Sequence, residues 1–538
     1  MASQSLPPRI SDFGIDRISS LPVELLICIC SYLANRDIKS LRLACKILAQ
    51  TARVRLYRVF LSAHPCNIGV FREIADHEAF RHNVTEIIWD DARFIEGPQP
   101  HPHPVWEVDE ADIDPVEGCP NWFVAECKEN IENLNMQRVW KTIYDSDRPN
   151  HMTRRKQGIA QPPLKVCWQL YQNLFHQQED VLLLNSDVDA FIYGVSRFPR
   201  LKRVTITPAA HGWLYAPLYE TPMIRFFPCG FNYPIPRGWP TSNDGEVPRY
   251  AHPWKEATEV RKNQWRAVRK VTSVLAEIKH NVSELVLDVN QLPTGLNCTI
   301  FDQPCEEYNN LVQILRSPGF CRLDLTLLVG GQEGIIGNND KTWISFRSGY
   351  LKGALAEAKD MRYISFGTTV TTDTIHDIKE NPTHFIPLQT IFPLEEWPKL
   401  RSFTLSNFLV KQSDLMDFLA ALPKTVCSIE LSFLKFLDGN WHSLLTEICD
   451  TLCWNQRDNA SRPKLIVGTA DGMRRAGLGT WLDGELHEFL YGDGPNPFCP
   501  EYGDFVDNVG TCRDAFEPEH HWPNVNPLTL VQMGYYRA

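Results

Sequence analysis

Histidines beside carboxylates are the residues of this chain that most resemble a metal site. His101 and His103 precede an acidic run over residues 107–114, and a second His pair stands at 520–521. Imidazole and carboxylate groups are common ligands of Zn²⁺. Prolines keep the first segment extended and nothing nearby makes it rigid, while the second pair lies in an acidic C-terminal stretch. We therefore favour solvated loops at both places and predict no metal ligand.

Other sequence signatures of catalysis are absent. The chain has no Gly-x-Ser-x-Gly elbow, no P-loop, no dinucleotide-binding fingerprint and no His-Glu-x-x-His helix. A glycine-rich stretch, Gly330–Gly337, follows a predicted strand but lacks the spacing of a phosphate-binding loop. We assign no catalytic residue and expect no cofactor.

Composition indicates a folded, water-soluble protein. The chain has 538 residues, 43% hydrophobic and 22% charged, which is enough for two to four domains. No apolar run is long enough to span a bilayer, and no secretory signal is readable. Sixteen cysteines occur without any Cys-x-x-Cys pair, as expected for small buried residues in a reducing compartment. We expect a cytoplasmic or nuclear location, or both.

Charge is distributed unevenly. The net charge is −11, yet residues 1–61 carry nine Lys/Arg against four Asp/Glu, while residues 483–538 carry two against ten. A mostly acidic chain offers no basic surface for a phosphate backbone, so we expect no nucleic acid as a partner. The basic N-terminal segment favours an acidic protein partner.

That N-terminal segment, 18–61, has the pattern of three helices. Pro22 suits a first helical turn, and Glu24 places a carboxylate near the positive end of the helix dipole. Apolar residues follow at helical spacing, with a second helix expected from Asn35 and a third over 49–61. Three such helices are too small to bury a full core alone. Part of their apolar surface is therefore expected to serve a partner.

The same segment resembles the F-box, the three-helix module by which substrate receptors bind the Skp-type adaptor of cullin–RING ubiquitin ligases. The resemblance covers about a tenth of the chain, and Leu48 stands where many members carry an aromatic residue. An ordinary helical hairpin packed on its own domain is the alternative. The resemblance implies these adaptor-binding residues: Leu21, Pro22, Leu25, Leu26, Ile29, Leu33, Ile38, Leu41, Leu43, Cys45 and Leu48.

The remaining chain alternates predicted helices with short strands. We expect a disordered leader over 1–17, a connecting region with an acidic Pro-rich loop over 62–163, an α/β domain over 164–470 and an acidic tail over 471–538. Six strands recur at intervals of 38, 40, 40, 26 and 36 residues, counted between Leu285, Leu323, Tyr363, Phe403, Ile429 and Leu465.

Recurring helix–strand units predict the fold class. Units that cannot bury their apolar faces alone stack into a solenoid with a curved, mostly parallel sheet. The fold class we predict is α/β, a three-helix N-terminal module followed by this stack. The stack resembles irregular leucine-rich repeats, although the intervals exceed the usual length and no clear Asn ladder occurs. A doubly wound α/β domain is the alternative.

One insert, 208–250, interrupts the repeats, and its residues 208–248 contain eight prolines and eight aromatic residues. Prolines exclude regular structure, and so many aromatic rings favour contact with protein over water. The insert is either a lid packed on the sheet or a surface that binds another protein, and we favour the lid.

Polar residues alternating with the apolar ones along the strands define a candidate substrate surface. If they face outward together, acidic points there favour a substrate segment that carries Lys or Arg. The alternative is simply the solvated face of the sheet. The proposed residues are Arg203, Asp288, Asp324, Thr404 and Glu430, with Ser365, Ser406 and Ser432 beside them.

These expectations combine into one functional hypothesis. The chain is predicted to be the substrate-recognition subunit of a Skp–cullin–F-box ubiquitin ligase, in which other subunits perform the catalysis. A scaffold that binds the adaptor outside ubiquitination is the first alternative. An enzyme with an unrecognised site is the second.

Overall fold

The computed structural model describes most of the chain. It covers residues 18, 21–33, 35–97, 115–141, 149–241, 249–290, 292–330, 332, 343–370, 385–470, 478–506, 508–515 and 521–524. The predicted leader, the His101 and His103 pair and most of the glycine-rich stretch lie outside these residues.

Three short helices open the chain: α1 (Val23–Ser31), α2 (Asn35–Ala44) and α3 (Lys46–Thr51). The prediction of a third helix over 49–61 is wrong, since that helix ends at Thr51 and Arg58–Ser62 is a strand. In this strand Val59 and Leu61 are buried while Arg58 is exposed, a period-two pattern that pairing with the next strand stabilises. Tertiary pairing therefore overrides a locally helical pattern.

A 13-stranded sheet forms the centre of the molecule, and a separate pair consists of β9 and β11. The strands are β1 (Arg58–Ser62), β2 (Glu86–Asp90), β3 (Arg203–Thr207), β4 (Glu284–Leu287), β5 (Leu296–Asn297), β6 (Arg322–Leu328), β7 (Tyr363–Thr368), β8 (Ser402–Ser406), β9 (Leu409–Lys411), β10 (Ser428–Ser432), β11 (Lys435–Asp438), β12 (Lys464–Ala470), β13 (Leu478–Leu482), β14 (Thr511–Asp514) and β15 (His521–Pro523).

Strand order follows chain order. The path runs β1-β2-β3-β4-β6-β7-β8-β10-β12 with every neighbour parallel, and β5 pairs with β6 beside it. Strands β13, β14 and β15 then continue the sheet in antiparallel pairs. A doubly wound sheet reverses its strand order at a switch point, and this order has no reversal. The predicted α/β class with a mostly parallel sheet is confirmed.

Helices connect most of the strands. They are α4 (Pro65–Asp76), α5 (Glu78–Arg81), α6 (Asn121–Lys141), α7 (Pro149–Ile159), α8 (Leu164–Leu184), α9 (Ser186–Arg197), α10 (Pro222–Arg225), α11 (Glu259–Lys262), α12 (Arg266–Glu277), α13 (Glu306–Leu315), α14 (Ile344–Arg347), α15 (Tyr350–Ala356), α16 (Gln412–Ala421), α17 (Trp441–Thr451) and α18 (Gly484–Tyr491).

The spacing of apolar residues predicts one helix over 254–280 and another over 345–359, and both are divided in the structure. The helix expected over 254–280 breaks after a 3₁₀ turn, where Trp265 leaves helical geometry at φ −105° and ψ 40°. The helix expected over 345–359 breaks at Gly349, whose φ of +81° is left-handed. Side-chain periodicity alone does not reveal such backbone breaks, because apolar spacing continues across them.

Apolar side chains of the parallel strands form one continuous buried layer. Its most regular row crosses the sheet in register through Val59, Ile87, Val204, Leu285, Leu323, Ile364, Phe403, Ile429 and Leu465. The predicted strand position Tyr363 is wrong by one residue, since Tyr363 pairs with Arg322 and Ser402 and is exposed. Ile364 fills that row instead.

The insert packs as a lid. Phe231, Tyr233 and Trp239 are buried, and the first two belong to a second apolar cluster that includes Phe123 and Tyr171. The C-terminal segment interpreted as an acidic tail also contributes structure, since β13, β14, β15 and α18 all lie within 471–538.

Candidate protein-docking surfaces

The N-terminal helices are held together by polar contacts at their ends. The guanidinium of Arg55 donates to the carbonyl oxygens of Ser31 at 2.7 Å, Cys30 at 3.2 Å and Leu33 at 2.5 Å. These carbonyls lie at the C-terminal end of α1, which has no further helical turn to satisfy them. The amide side chain of Asn35 both donates to and accepts from the backbone of Arg55, at 2.6 and 2.9 Å. The segment before β1 is thereby fixed to the start of α2.

Their apolar core is small. Leu26, Cys30, Ile38, Leu48 and Ala52 are buried. On α1 only the Leu26–Cys30 stripe points inward, because residues four apart share one helix face.

Large apolar side chains remain uncovered on the same helices. In α1, Val23 and Ile27 lie on one flank of the buried stripe, and Leu25 and Ile29 lie on the other. A helix that is apolar on nearly every side normally occurs only where other protein surrounds it. The exposed set, each member between 46% and 88% exposed, is Ile18, Val23, Leu25, Ile27, Ile29, Tyr32, Leu43, Ile47 and Tyr57.

The predicted adaptor-binding residues separate into three groups. Pro22, Leu25, Ile29 and Leu43 are exposed. Leu26, Ile38 and Leu48 are buried and support the module from within, and Leu21, Leu33, Leu41 and Cys45 are half-buried. Val23, Ile27, Tyr32 and Ile47 are exposed as well but are not among the predicted residues, although the near-absence of polar residues in α1 indicates the first two.

The second surface is the polar face of the sheet. The register places Asp324, Ser365, Thr404 and Glu430 side by side on β6, β7, β8 and β10. Thr205 belongs to the same row, because it pairs with Val286, which pairs with Asp324. Arg203 stands two residues before Thr205 and therefore lies on the same face. The expectation that these polar residues share one face agrees with the register.

Most charges on this face are already paired. Arg58, Glu86, Arg203, Glu284 and Arg322 follow one another across five strands, so their signs alternate. The Arg58–Glu86 pair is separated by 2.7 Å and the Arg203–Glu284 pair by 2.6 Å. The carboxylate of Asp324 lies 2.6 Å from Arg322 of its own strand. Only a carboxylate that lacks such an arginine is available to bind a partner.

Asp288 is not available either. The hydroxyl of Tyr219, in the insert, donates to the Asp288 carboxylate at 2.8 Å, and burial raises the pKa of Asp288. The ring of Tyr219 also lies 6.2 Å from that of Phe60 on β1. Asp288 is thus part of the contact between insert and sheet.

Two adjacent carboxylates at the end of β2 anchor the insert. The indole nitrogen of Trp239 donates to Asp91 at 2.8 Å, and Gly238 fits there because a Cβ would lie 2.1 Å from the carbonyl oxygen of Asp91. Oδ2 of Asp90 lies 3.7 Å from Nε2 of His211, and neither atom has a hydrogen-bond partner among the described residues.

This pair is closed off from solvent, and aromatic side chains pack against the imidazole. Nδ1 of His211 lies 2.9 Å from the hydroxyl oxygen of Tyr233, and the ring of Phe94 packs edge-on against the imidazole. Burial raises the pKa of Asp90 to about 8 and lowers the pKa of His211 to about 3. Both side chains are inaccessible to solvent, so a substrate cannot reach them, and their role is to hold the insert.

Two further features are absent from the described part of the chain. Among those residues, no three His, Cys, Asp or Glu side chains are arranged to hold a metal ion. None of the described helices has the length and apolar character needed to cross a membrane.

The chain matches no protein-family model, and no curated protein sequence matches it.

Proposed function

We propose that the chain is the substrate-recognition subunit of a Skp–cullin–F-box ubiquitin ligase. The helices α1 to α3 bind the Skp-type adaptor, the repeat domain binds a protein substrate, and other subunits transfer ubiquitin. The proposed setting is the cytoplasm, the nucleus or both.

The observation that carries this proposal is the uncovered apolar surface of α1. An exposed apolar patch of this kind marks a protein-interaction site in a soluble protein. Leu25 and Ile29, which the F-box resemblance assigns to the adaptor, are among the exposed residues. The resemblance supplies the identity of the partner, and the exposure supplies a reason for having one.

The strand register supports the repeat half of the proposal. Leucine-rich repeats follow the pattern L-x-x-L-x-L-x-x-N/C-x-L, which places apolar residues at i, i+3, i+5 and i+10. Around β4 these positions are Val282, Leu285, Leu287 and Leu292, with Asn290 at i+8. Buried residues repeat the four apolar offsets around β8 and β10, as Leu400, Phe403, Leu405 and Val410, then Val426, Ile429, Leu431 and Phe436. At i+8, where the pattern has Asn or Cys, these two units carry Phe408 and Leu434.

Charge substitutions on the exposed apolar surface test the proposal. In a pull-down with a purified Skp-type adaptor, the double variant Leu25→Glu, Ile29→Glu of the full chain should lose binding, because two carboxylates would be desolvated at the interface. Both side chains are exposed, so the fold should be retained.

Leu183→Glu, Leu184→Glu is the matched control, since these exposed leucines at the end of α8 allow the same chemical change outside the module. This control should bind the adaptor normally. Unchanged binding by the first variant, or equal loss by both, would contradict the proposed docking surface.

A further inference from the structure

One carboxylate on the polar face of the sheet is unlike the others. Glu86, Glu284 and Asp324 each have an arginine within 2.7 Å. Glu430, at the centre of β10, has no ion pair and no hydrogen bond to its carboxylate within the part of the chain that the structure describes. Among the described residues, no ion pair or hydrogen bond therefore neutralises the charge of Glu430.

The in-register neighbours of Glu430 are uncharged. Its in-register neighbours are Thr404 on β8 and Ile466 on β12, and Ser428 precedes it on the same face. The side chain is half-buried, and burial raises the pKa of Glu430. A partly desolvated carboxylate without a counter-ion is unfavourable, and a cation that arrives with a partner would relieve that cost.

Two charged groups influence Glu430 from neighbouring elements, and both have other partners. Arg513 on β14 lies 3.3 Å from Asp483 and 5.5 Å above the ring of Trp481. Asp324 is paired with Arg322. The charge of Arg513 favours the ionised form of Glu430, but among the described residues neither group forms an ion pair or hydrogen bond with the Glu430 carboxylate.

We propose that the face formed by β7, β8, β10 and β12 binds an extended segment of a partner protein, with Glu430 as the counter-ion of a Lys or Arg side chain. This inference rests on the proposed substrate-binding role and specifies its substrate class. The hydroxyl groups of Ser365, Thr404 and Ser428 offer hydrogen bonds to the segment beside the charged contact. An acidic or phosphorylated segment is disfavoured, because it would bring a second negative charge to Glu430.

The choice of partner follows from charge complementarity. The alternating arginine–carboxylate ladder crosses β1, β2, β3, β4 and β6, so that part of the face has no preference for one sign. From β7 to β10 the register partners are hydroxyl groups and Glu430. A single unpaired carboxylate among hydroxyl groups selects a cation at one position.

A synthetic array of randomised seven-residue peptides, probed with the purified full chain, tests this inference. The wild-type chain should enrich Lys or Arg at one peptide position, and binding should weaken as salt increases. Glu430→Gln should reduce binding of the enriched peptides at least tenfold, and Glu430→Lys should shift the preference to Asp or Glu.

Asp417→Asn is the matched control, because it removes one exposed carboxylate on α16. It should bind as the wild type does. Absence of basic enrichment, unchanged binding by Glu430→Gln, or an equal loss in the control would overturn the inference.

The adaptor pull-down with the same variants separates this inference from the proposed function. All of them should keep the adaptor. A wild-type chain that binds the adaptor but shows no preference for Lys or Arg contradicts the Glu430 contact alone, whereas a wild-type chain that fails to bind the adaptor contradicts the F-box proposal.

Discussion

The polar face of the sheet consists of two halves that share one register and differ in what lies over them. A single row passes through Ile88, Thr205 and Val286 in the first half and through Ser365, Thr404 and Glu430 in the second. The first three side chains are buried and the last three are half-buried. The insert, through Tyr219, contacts both Phe60 and Asp288 beside the first half.

Residue type follows this difference. Where the face is covered, Ile88 and Val286 occupy positions that hold Ser365 and Thr404 where it is not. Apolar residues at outward positions of a strand therefore indicate a covering segment, since burying them releases water from apolar surface. The uncovered half has hydroxyl groups at these positions, which water can hydrate and which can form hydrogen bonds with a partner.

The largest expected effect is Trp239→Ala, which removes the main anchor of the insert. The indole is buried and donates to Asp91, so truncation should lower the free energy of unfolding by about 3–5 kcal/mol in urea titration. Tyr363→Ala in the uncovered half should cost about 1 kcal/mol or less. Similar decreases in the free energy of unfolding for the two variants would mean that the packing of the insert does not stabilise the fold.

The pH dependence of stability should come next in size. In the unfolded chain Asp titrates near 3.9 and His near 6.5, whereas burial moves the pKa of Asp90 to about 8 and that of His211 to about 3. Between about pH 4 and 6.5, folded and unfolded pairs each hold one proton, so this pair adds no pH dependence.

Above that range the folded pair holds the extra proton, so its contribution to stability should fall as pH rises from about 6.5 to 8. Below about pH 4 the unfolded pair holds more protons, so stability should fall again as pH drops toward 3. Asp90→Asn removes the loss of stability between pH 6.5 and 8, because asparagine does not titrate. Urea unfolding at both pH values should therefore show that the free energy of unfolding of the variant, relative to wild type, increases by about 1–2 kcal/mol from pH 6.5 to pH 8. A constant difference between the two proteins would contradict this assignment.

A smaller effect is expected for Tyr219→Phe. It deletes only the hydroxyl that donates to Asp288, leaving a half-buried carboxylate short of one donor, and should cost about 1–1.5 kcal/mol. Tyr363→Phe makes the same change on the uncovered half, where the tyrosine is exposed, and its melting temperature should match the wild type. Equal shifts in the two melting temperatures would erase the distinction between the halves.

The smallest expected effect comes from replacing threonine by the isosteric valine at two positions of the same row, one in each half of the face. Thr205→Val loses the 2.7 Å hydrogen bond to Glu86 and should cost about 1 kcal/mol. Thr404→Val removes a half-exposed hydroxyl from the uncovered face and should change stability by less than about 0.5 kcal/mol. Calorimetry of the two variants compares the halves directly, and a larger loss for Thr404→Val would reverse the comparison.

Local patterns in the sequence were sufficient for several features. Apolar–polar alternation located six strands, five of them by a residue of the buried row and the sixth by Tyr363, one residue away from that row. It also assigned Asp324, Thr404 and Glu430 to one face before any pairing was known. It succeeded because side chains of a strand alternate between faces whatever the strand pairs with. The apolar composition of α1 likewise indicated a helix with more apolar surface than its own module can bury.

Tertiary structure alone decided which of these residues are free. Arg58 and Glu86 are 28 residues apart, and Arg203 and Glu284 are 81 apart, so their pairing follows from strand order and not from local spacing. Asp288 was lost as a candidate because Tyr219, 69 positions away, lies against it. The C-terminal part of the helix predicted over 49–61 is strand β1 for the same reason, because β2 supplies its pairing partner. Periodicity belongs to the backbone of each element, whereas pairing, burial and charge neutralisation depend on neighbours that only folding brings into contact.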